Sequence, residues 1–421
     1  MSAVAKAATS GRSRLVVVGN GMAAARTLEE LLSIAPERYD VTVLGAEPYA
    51  NYNRILLTPL LAGEMGRAEI MLNDREWYAS RGVALQLGCR VAAIDRVRRE
   101  VMTEDGRRFG YDRLLLATGS QPVVLPIPGR GLPGVLTYRD LGDTEAMIAA
   151  AQPARDAVVI GGGLLGIEAA NGLAARGMRV TLVHLMPTLM ERQLDDAAAA
   201  MLRGELAARG IAVETAARTA AFVAGADGRV AAVRLEGGRA LPAALAVMAV
   251  GIRPNAALAE AAGLPCERGV AVSDTMQTND PRIYAVGECV AHRGVTYGLV
   301  SPVYAMARVC ANHLAGAGFA SYRGSVPCAR LKVSGIDVFS AGEIRAADGD
   351  EELTLADAGA GVYRKLVLRD GRLAGAVLYG DVEGAADYEA LLAQRTPVAP
   401  LRGRLLFPAL WRDQGGEAEA A

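Results

Sequence analysis

Two glycine-rich turns, each set between an apolar strand and a helix, constrain this chain more than any other feature. The first follows the run Arg14–Val18 and reads Gly19-Asn20-Gly21-Met22-Ala23-Ala24. The second follows Ala157–Ile160 and reads Gly161-Gly162-Gly163-Leu164-Leu165-Gly166. In such a turn the backbone N–H groups and the positive end of the helix dipole face one point, where a pyrophosphate is favoured. Gly19 and Gly161 permit the tight bend, Gly21 and Gly163 let the anion approach, and the third position lets helix lie on strand. That third residue is Ala24 in the first turn and Gly166 in the second. Met22, Leu164 and Leu165 open the helices and bring their N–H groups to the anion. Two cradles imply two dinucleotides, and two dinucleotides in one chain imply electron transfer between them.

The rest of the pattern gives an α/β fold with two Rossmann-like domains, the second inserted in the first, followed by a small α+β domain. Each turn begins a βαβ unit: helix Met22 to Ser33 with return strand Val41–Leu44, and helix Leu164 to Arg176 with return strand Val180–Val183. Strand Leu114–Ala117 ends in Thr118-Gly119 and is followed by Pro122, Pro126 and Pro128, which mark a crossover. Val247–Val250 ends in Gly251, and Arg253-Pro254 marks the crossover back. Strand Ile283–Val286 then ends in Gly287-Glu288. From about Pro327 short strands are expected at Leu331–Val333, Val338–Ala341, Val362–Leu368 and Leu373–Leu378, with Asp370-Gly371 as a hairpin turn. The expected division is a disordered leader over 1–13, a first dinucleotide domain from 14–122 and 251–326, and a second dinucleotide domain over 123–250. An interface domain over 327–413 and a disordered tail over 414–421 complete it.

Bulk properties exclude several classes. Apolar residues make up 52% of 421 and the net charge is −1, so there is core for two or three domains and no electrostatic footprint for nucleic acid. No apolar run approaches the roughly 20 residues needed to span a bilayer; Ala240 to Ile252 reads as a buried strand with its flanks. The N-terminus is small, polar and basic, unlike a signal peptide. Cys89, Cys266, Cys289, Cys310 and Cys328 are scattered, with no spacing for a metal, a cluster or a redox disulfide. Reduced thiols in a cytoplasmic protein are expected, and no metal site.

Further residues join the first cradle. Glu47 follows the second strand, one step late because Gly45 holds the strand end; it can bind the adenosine ribose or be a solvated loop carboxylate. Glu288, after a strand-end glycine, can bond a ribityl hydroxyl. Pro302 opens a helix whose N-terminus favours negative charge on a reduced flavin. With the Ala117-Thr118-Gly119 strand end and Val286-Gly287-Glu288, the chain resembles the FAD/NAD(P)H pyridine nucleotide–disulfide reductase superfamily over almost its whole length. Tyr49-Ala50-Asn51-Tyr52-Asn53-Arg54-Ile55-Leu56-Leu57-Thr58, Gly287-Glu288-Cys289, and the stretches Leu331 to Val338 and Gly361 to Leu366 make it most similar to the flavoprotein portion of bacterial assimilatory nitrite reductases. The resemblance implies FAD, with Asn53, Arg54 and Thr58 near the flavin, Val91 and its neighbours near the adenine, and Gly251 at the crossover; for Arg54 a surface ion pair is the plainer alternative.

At the second cradle the resemblance implies NADH or NADPH as donor, with Glu168 orienting the nicotinamide. Glu168 is read as lying in the first helical turn, where an acidic residue equally stabilises the helix N-terminus. Selectivity is decided just after the second strand, where acid binds a 2′-hydroxyl and arginine a 2′-phosphate. His184 stands there and is neither; a neutral ring can contact a hydroxyl and a protonated one can tolerate phosphate. Family resemblance favours NADH. No Cys-x4-Cys follows the first helix and Asn51 to Leu61 holds no cysteine, so no active disulfide is expected. The acceptor implied is a separate redox protein, a nitrite or nitrate reductase component or a small iron–sulfur protein. A rubredoxin or ferredoxin reductase of another pathway, and a flavin-bearing sensor with incidental turnover, are the alternatives. Monomer or homodimer is expected.

Overall fold

The computed structural model describes residues 11–331 and 333–412. The tail over 414–421 and residues 1–10 of the expected leader lie outside them, as does Lys332; the first strand already begins at Ser13. The chain packs into two compact units. One comprises residues up to Asn53, Ala68–Gln121 and Ile252–Gly324; the other comprises Arg54–Arg67, Pro122–Gly251 and the chain from Ser325 on.

The first unit is built on a five-stranded parallel sheet in the order Ile283–Ala285, Arg113–Leu116, Ser13–Val18, Tyr39–Leu44, Ala84–Gln86. Its central strands read as apolar runs, Leu15–Val18 and Leu114–Leu116, because both faces are covered there, as parallel sheets require. Leu15, Val17, Val43, Leu114, Leu115 and Ile283 have no measurable exposure, and each such side chain contributes about 1.5–3 kcal/mol of burial. Helix Met22–Ile34 buries Ala24, Leu28 and Leu31 in this core. A small antiparallel sheet, Val91–Asp95, Glu100–Thr103 and Arg108–Gly110, belongs to the same unit.

The second unit repeats the theme: Val135–Thr137, Leu245–Met248, Asp156–Ile160, Arg179–Val183 and Ala212–Glu214 form a parallel sheet in that order. The strand expected over Val247–Val250 lies two residues earlier, and the apolar stretch from Ala240 is not one strand. Ala240–Pro242 pairs antiparallel with Val230–Leu235, and the chain then turns into the parallel sheet at Leu245. Pro242, which has no N–H to donate, is tolerated because Ala240–Pro242 is the edge strand of its small sheet.

The C-terminal part of this unit is an antiparallel sheet in the order Cys328–Arg330, Val338–Gly342, Arg372–Tyr379, Val362–Arg369, Glu351–Asp357. Asp370 (φ 50°) and Gly371 (φ 67°) turn the hairpin in the left-handed region, as a two-residue loop with Asp-Gly demands. The strand expected at Leu331–Val333 sits at Cys328–Arg330 instead, and Val333 makes only an isolated bridge to Ile336. Glu351–Asp357 was not expected at all. It is a half-exposed edge strand, and its carboxylates mask the edge rather than advertise a strand.

Candidate active site: two nucleotide cradles

In the first unit the loops that leave the carboxyl ends of the parallel strands carry the residues singled out from sequence, the position where open α/β sheets bind ligands. Gly19 has φ 108°, and a Cβ there would stand 2.2 Å from the Ala117 carbonyl oxygen. Gly21 caps helix Met22–Ile34 with φ −83° and has open space around it; no side chain caps this helix end, and its first turn holds no acidic residue. The unbonded N–H groups of a helix start therefore stand beside a glycine whose Cβ would meet nothing within 4 Å, an opening of the kind an anion cradle needs. Asn20 adds a test of fit. Its Oδ1 accepts from Tyr78 Oη at 2.7 Å and its carbonyl accepts from Asn51 Nδ2 at 2.8 Å, but Asn20 Nδ2 and Asn51 Oδ1 are buried with no protein partner among the described residues. A donor and an acceptor orphaned beside an open helix N-terminus fit a phosphate-bearing nucleotide.

Glu47 accepts from Tyr52 Oη at 2.7 Å, and its carbonyl accepts from Gly88 N–H at 2.9 Å. It is thus tied to the loop that precedes Val91. Thr118 Oγ1 donates to the Asn255 carbonyl at 2.7 Å, Gly119 has φ 68°, and Ser120 Oγ donates to Glu288 Oε2 at 3.0 Å. Gly287 is left-handed, and a Cβ there would meet Ala23 Cβ at 2.8 Å. Pro302 is the third residue of helix Val300–Leu314, where its missing N–H costs nothing. Asn53 N–H bonds the Ile70 carbonyl at 2.8 Å.

The second unit holds the other cradle. Gly161 (φ 120°) would place a Cβ 2.2 Å from the Ala249 carbonyl oxygen, Gly163 caps helix Leu164–Ala175 with open space around it, and a Cβ on Gly166 would fall 1.7 Å from the Gly161 carbonyl oxygen. Leu164 and Leu165 are half-buried at the helix start. Gly251 is left-handed at φ 112°, and its carbonyl accepts from Val123 N–H at 2.9 Å.

Glu168 is the fifth residue of its helix, so it lies in the second turn and not the first. A dipole effect confined to the first turn does not explain its placement. It is buried, and Thr58 Oγ1 donates to its Oε2 at 2.9 Å; Thr58 also contacts Tyr138 Oη at 3.2 Å. Burial pushes the Tyr138 phenol upward, so it stays a neutral hydroxyl. Arg54 Nη1 donates to the Arg139 carbonyl at 3.1 Å. The structure thus unites Thr58 with Glu168, a pairing across 110 residues that the sequence does not signal, and adds Tyr138, which no motif marks. His184 is buried: its Nδ1 accepts from Gly162 N–H at 3.0 Å and its Nε2 lies 3.1 Å from Glu191 Oε2.

All five cysteines are free, and desolvation raises every thiol, Cys328 to about 12. Among the described residues there is no group of three or more metal-ligating side chains, and no helix is long and apolar enough to cross a membrane.

Comparison with known proteins agrees with this geometry. A family described as pyridine nucleotide-disulphide oxidoreductase matches residues 13–311, and the rubredoxin NAD+ reductase C-terminal domain matches residues 327–396. The chain is 47% identical over 371 residues to an NAD(P)H nitrite reductase of Bacillus subtilis (strain 168), covering 88% of this chain and 46% of that protein. It is 42% identical over 385 residues to the assimilatory nitrate reductase electron transfer subunit of the same organism, covering 91% and 50%. The covalent putidaredoxin reductase–putidaredoxin complex superposes with a TM-score of 0.85 at 27% identity, over 92% of this chain and 94% of that one. The chain spans about half the length of the curated relatives it matches. It belongs to the pyridine nucleotide-disulphide oxidoreductase family. It is an FAD-dependent oxidoreductase that uses NAD(P)H.

Proposed function

We propose that this chain is the flavoprotein portion of a nitrite- or nitrate-reducing system, carrying electrons from NADH through FAD to a separate redox protein. The pair of open glycine cradles, each at its own parallel sheet, is the observation that carries this reading. FAD supplies hydride acceptance and release of the electrons one or two at a time. The protein's work is to bind, orient and tune. Gly19, Gly21 and the N–H groups from Met22 on take the flavin pyrophosphate beside Ala24. Glu47 takes the adenosine ribose, the segment before Val91 takes the adenine, and Glu288 takes a ribityl hydroxyl next to Ala117, Thr118 and Gly119. Asn53, Arg54 and Thr58 line the flavin side, Gly251 and Gly287 let backbone approach, and the helix entered near Pro302 favours the reduced, more anionic ring. Gly161, Gly163, Leu164, Leu165 and Gly166 take the donor's pyrophosphate, and Glu168 orients its nicotinamide.

In this reading 14–122 and 251–326 hold the flavin, 123–250 hold the donor, and 327–413 meet the acceptor. The protein acts in the cytoplasm as a monomer or homodimer. The likeness of residues 327–396 to a rubredoxin reductase domain favours a second reading, delivery to rubredoxin or another small iron–sulfur protein. The two are separated by reoxidation of the NADH-reduced protein. Faster reoxidation by a sirohaem nitrite reductase component than by rubredoxin is expected; the reverse order selects the second reading. A bound flavin that neither NADH nor NADPH reduces contradicts both.

A further inference from the structure

We propose that Glu191 is the residue that reads the adenosine ribose of the donor, selecting NADH and rejecting NADPH, and that His184 is the residue that positions it. This rests on the reading of the second cradle as the nicotinamide nucleotide site. Selection between the two nucleotides is made after the second strand of such a unit by a carboxylate or an arginine, and that place is held here by His184, after strand Arg179–Val183.

Both nitrogens of the His184 ring are engaged, so the ring has no atom left for a ribose. Nδ1 accepts the Gly162 N–H, which fixes the ring proton on Nε2, and that N–H is aimed at Glu191 Oε2 at 3.1 Å. The loop bearing Glu191 is clamped to the same glycine: Met190 N–H donates to the Gly162 carbonyl at 2.9 Å. Met190 itself is held at φ 50°, a left-handed conformation that a long side chain adopts at a cost, and it is buried together with Leu189 and Leu194. Gly162 therefore spends both of its backbone polar groups on one outcome, a rigid loop that presents the Glu191 carboxylate beside the glycine turn.

Glu191 is the carboxylate at this sheet edge suited to the task. Glu214, at the end of the neighbouring strand, is matched by Arg239 at 2.7 Å, which holds it below the usual carboxylate range. Glu191 is partly exposed, and its hydrogen bond from His184 leaves acceptor capacity for the hydroxyls of a ribose. Earlier on the same segment, directly after His184, Leu185 and Met186 stand half-exposed, apolar surface of the kind an adenine ring covers. A 2′-phosphate brought to this carboxylate would meet like charge. Arg192, the next residue, is exposed and becomes the loop's charge when Glu191 is removed.

The test uses the flavin-loaded full chain and the variants Glu191→Gln, Glu191→Ala and His184→Ala. Anaerobic flavin reduction gives kcat/KM for NADH and NADPH, and calorimetry gives the Kd of 5′-AMP and of 2′,5′-ADP, which probes the ribose without turnover. The wild type is expected to prefer NADH and 5′-AMP. Glu191→Ala should move the NADPH/NADH ratio at least about tenfold towards NADPH, through KM more than kcat, and shift the two Kd values in the same sense. Glu191→Gln should remove the repulsion while keeping a ribose hydrogen bond, and His184→Ala should blur selectivity without reversing it. Reduction of the wild type by a nucleotide, with ratios unchanged in both Glu191 variants, overturns the assignment of Glu191 alone. Failure of both nucleotides to reduce the wild-type flavin and of both probes to bind overturns the underlying reading of the site as well.

Discussion

The two glycine turns share a backbone and differ in how they are filled. The leading glycines have φ 108° and 120°, and each would drive a Cβ to 2.2 Å from a carbonyl oxygen, of Ala117 or of Ala249. The helix-capping glycines have φ −83° and −85°, each with open space in front. Between them the side-chain volume is exchanged. In the first turn the middle residue is Asn20 and the strand-end residue is Gly45, where a Cβ would stand 3.1 Å from Asn20 Cβ. In the second the middle residue is Gly162 and the strand-end residue is His184, whose Cγ would be 2.5 Å from a Cβ on Gly162. One space beside the turn is filled from the turn itself in one cradle and from the neighbouring strand in the other. The first arrangement leaves a buried amide donor, Asn20 Nδ2, without a protein partner among the described residues; the second ties the turn, through His184, to the loop that carries Glu191. The third position also differs. Ala24 is accommodated, whereas Gly166 lies against the Gly161 carbonyl and leaves no room for a methyl group.

That difference can be broken deliberately. Gly21→Glu should abolish flavin retention by setting bulk and negative charge in the pyrophosphate space, measured as flavin absorbance per protein; full retention would remove the first cradle from the account. Gly166→Ala should cost about 3 kcal/mol or more, because backbone must separate. It should raise KM for the nicotinamide nucleotide sharply while flavin stays bound, which separates the two cradles experimentally. Gly162→Ala should cost about 1–3 kcal/mol by thermal denaturation, and adding His184→Gly should recover part of that loss. Additive losses in the double variant would mean the exchange of volume has no energetic meaning. Thr58→Val removes a hydroxyl donor from buried Glu168, with an expected cost of about 1–2 kcal/mol and slower flavin reduction; Thr58→Ser should restore both. Ala24→Gly, the reverse of Gly166→Ala, should cost only about 0.5–1 kcal/mol through helix propensity.

The thiols give a pH test of the same architecture. Burial disfavours each thiolate, so the folded protein resists alkylation at neutral pH. Cys328, pushed up to about 12, should gain reactivity only as the pH rises towards that value. Rapid labelling near neutrality would indicate an activated thiol and a different chemistry.

Much of this was legible in the sequence because the constraints are local. Gly19, Gly21, Gly161, Gly163 and Gly166 mark turns whose geometry excludes other residues, and parallel strands such as Leu114 to Leu116 are apolar throughout because they are covered on both faces. Less legible were features decided at long range. The Thr58–Glu168 bond joins residues 110 positions apart, and nothing in the spacing of Tyr138 or Glu191 announces a partner. The edge strand Glu351–Asp357 carries charge where a strand is usually recognised by its β-branched residues, and Leu331 and Val333 are more apolar than the strand beside them, Cys328–Arg330, whose last residue is charged.

The central claim is that both cradles serve one electron path. Its most direct test is anaerobic addition of NADH to the purified full chain while the visible absorbance of bound flavin is recorded. The account predicts a yellow protein with stoichiometric FAD whose colour bleaches on addition. A folded chain that is colourless and takes up no flavin on reconstitution, or one whose flavin is untouched by either nicotinamide nucleotide, would contradict it.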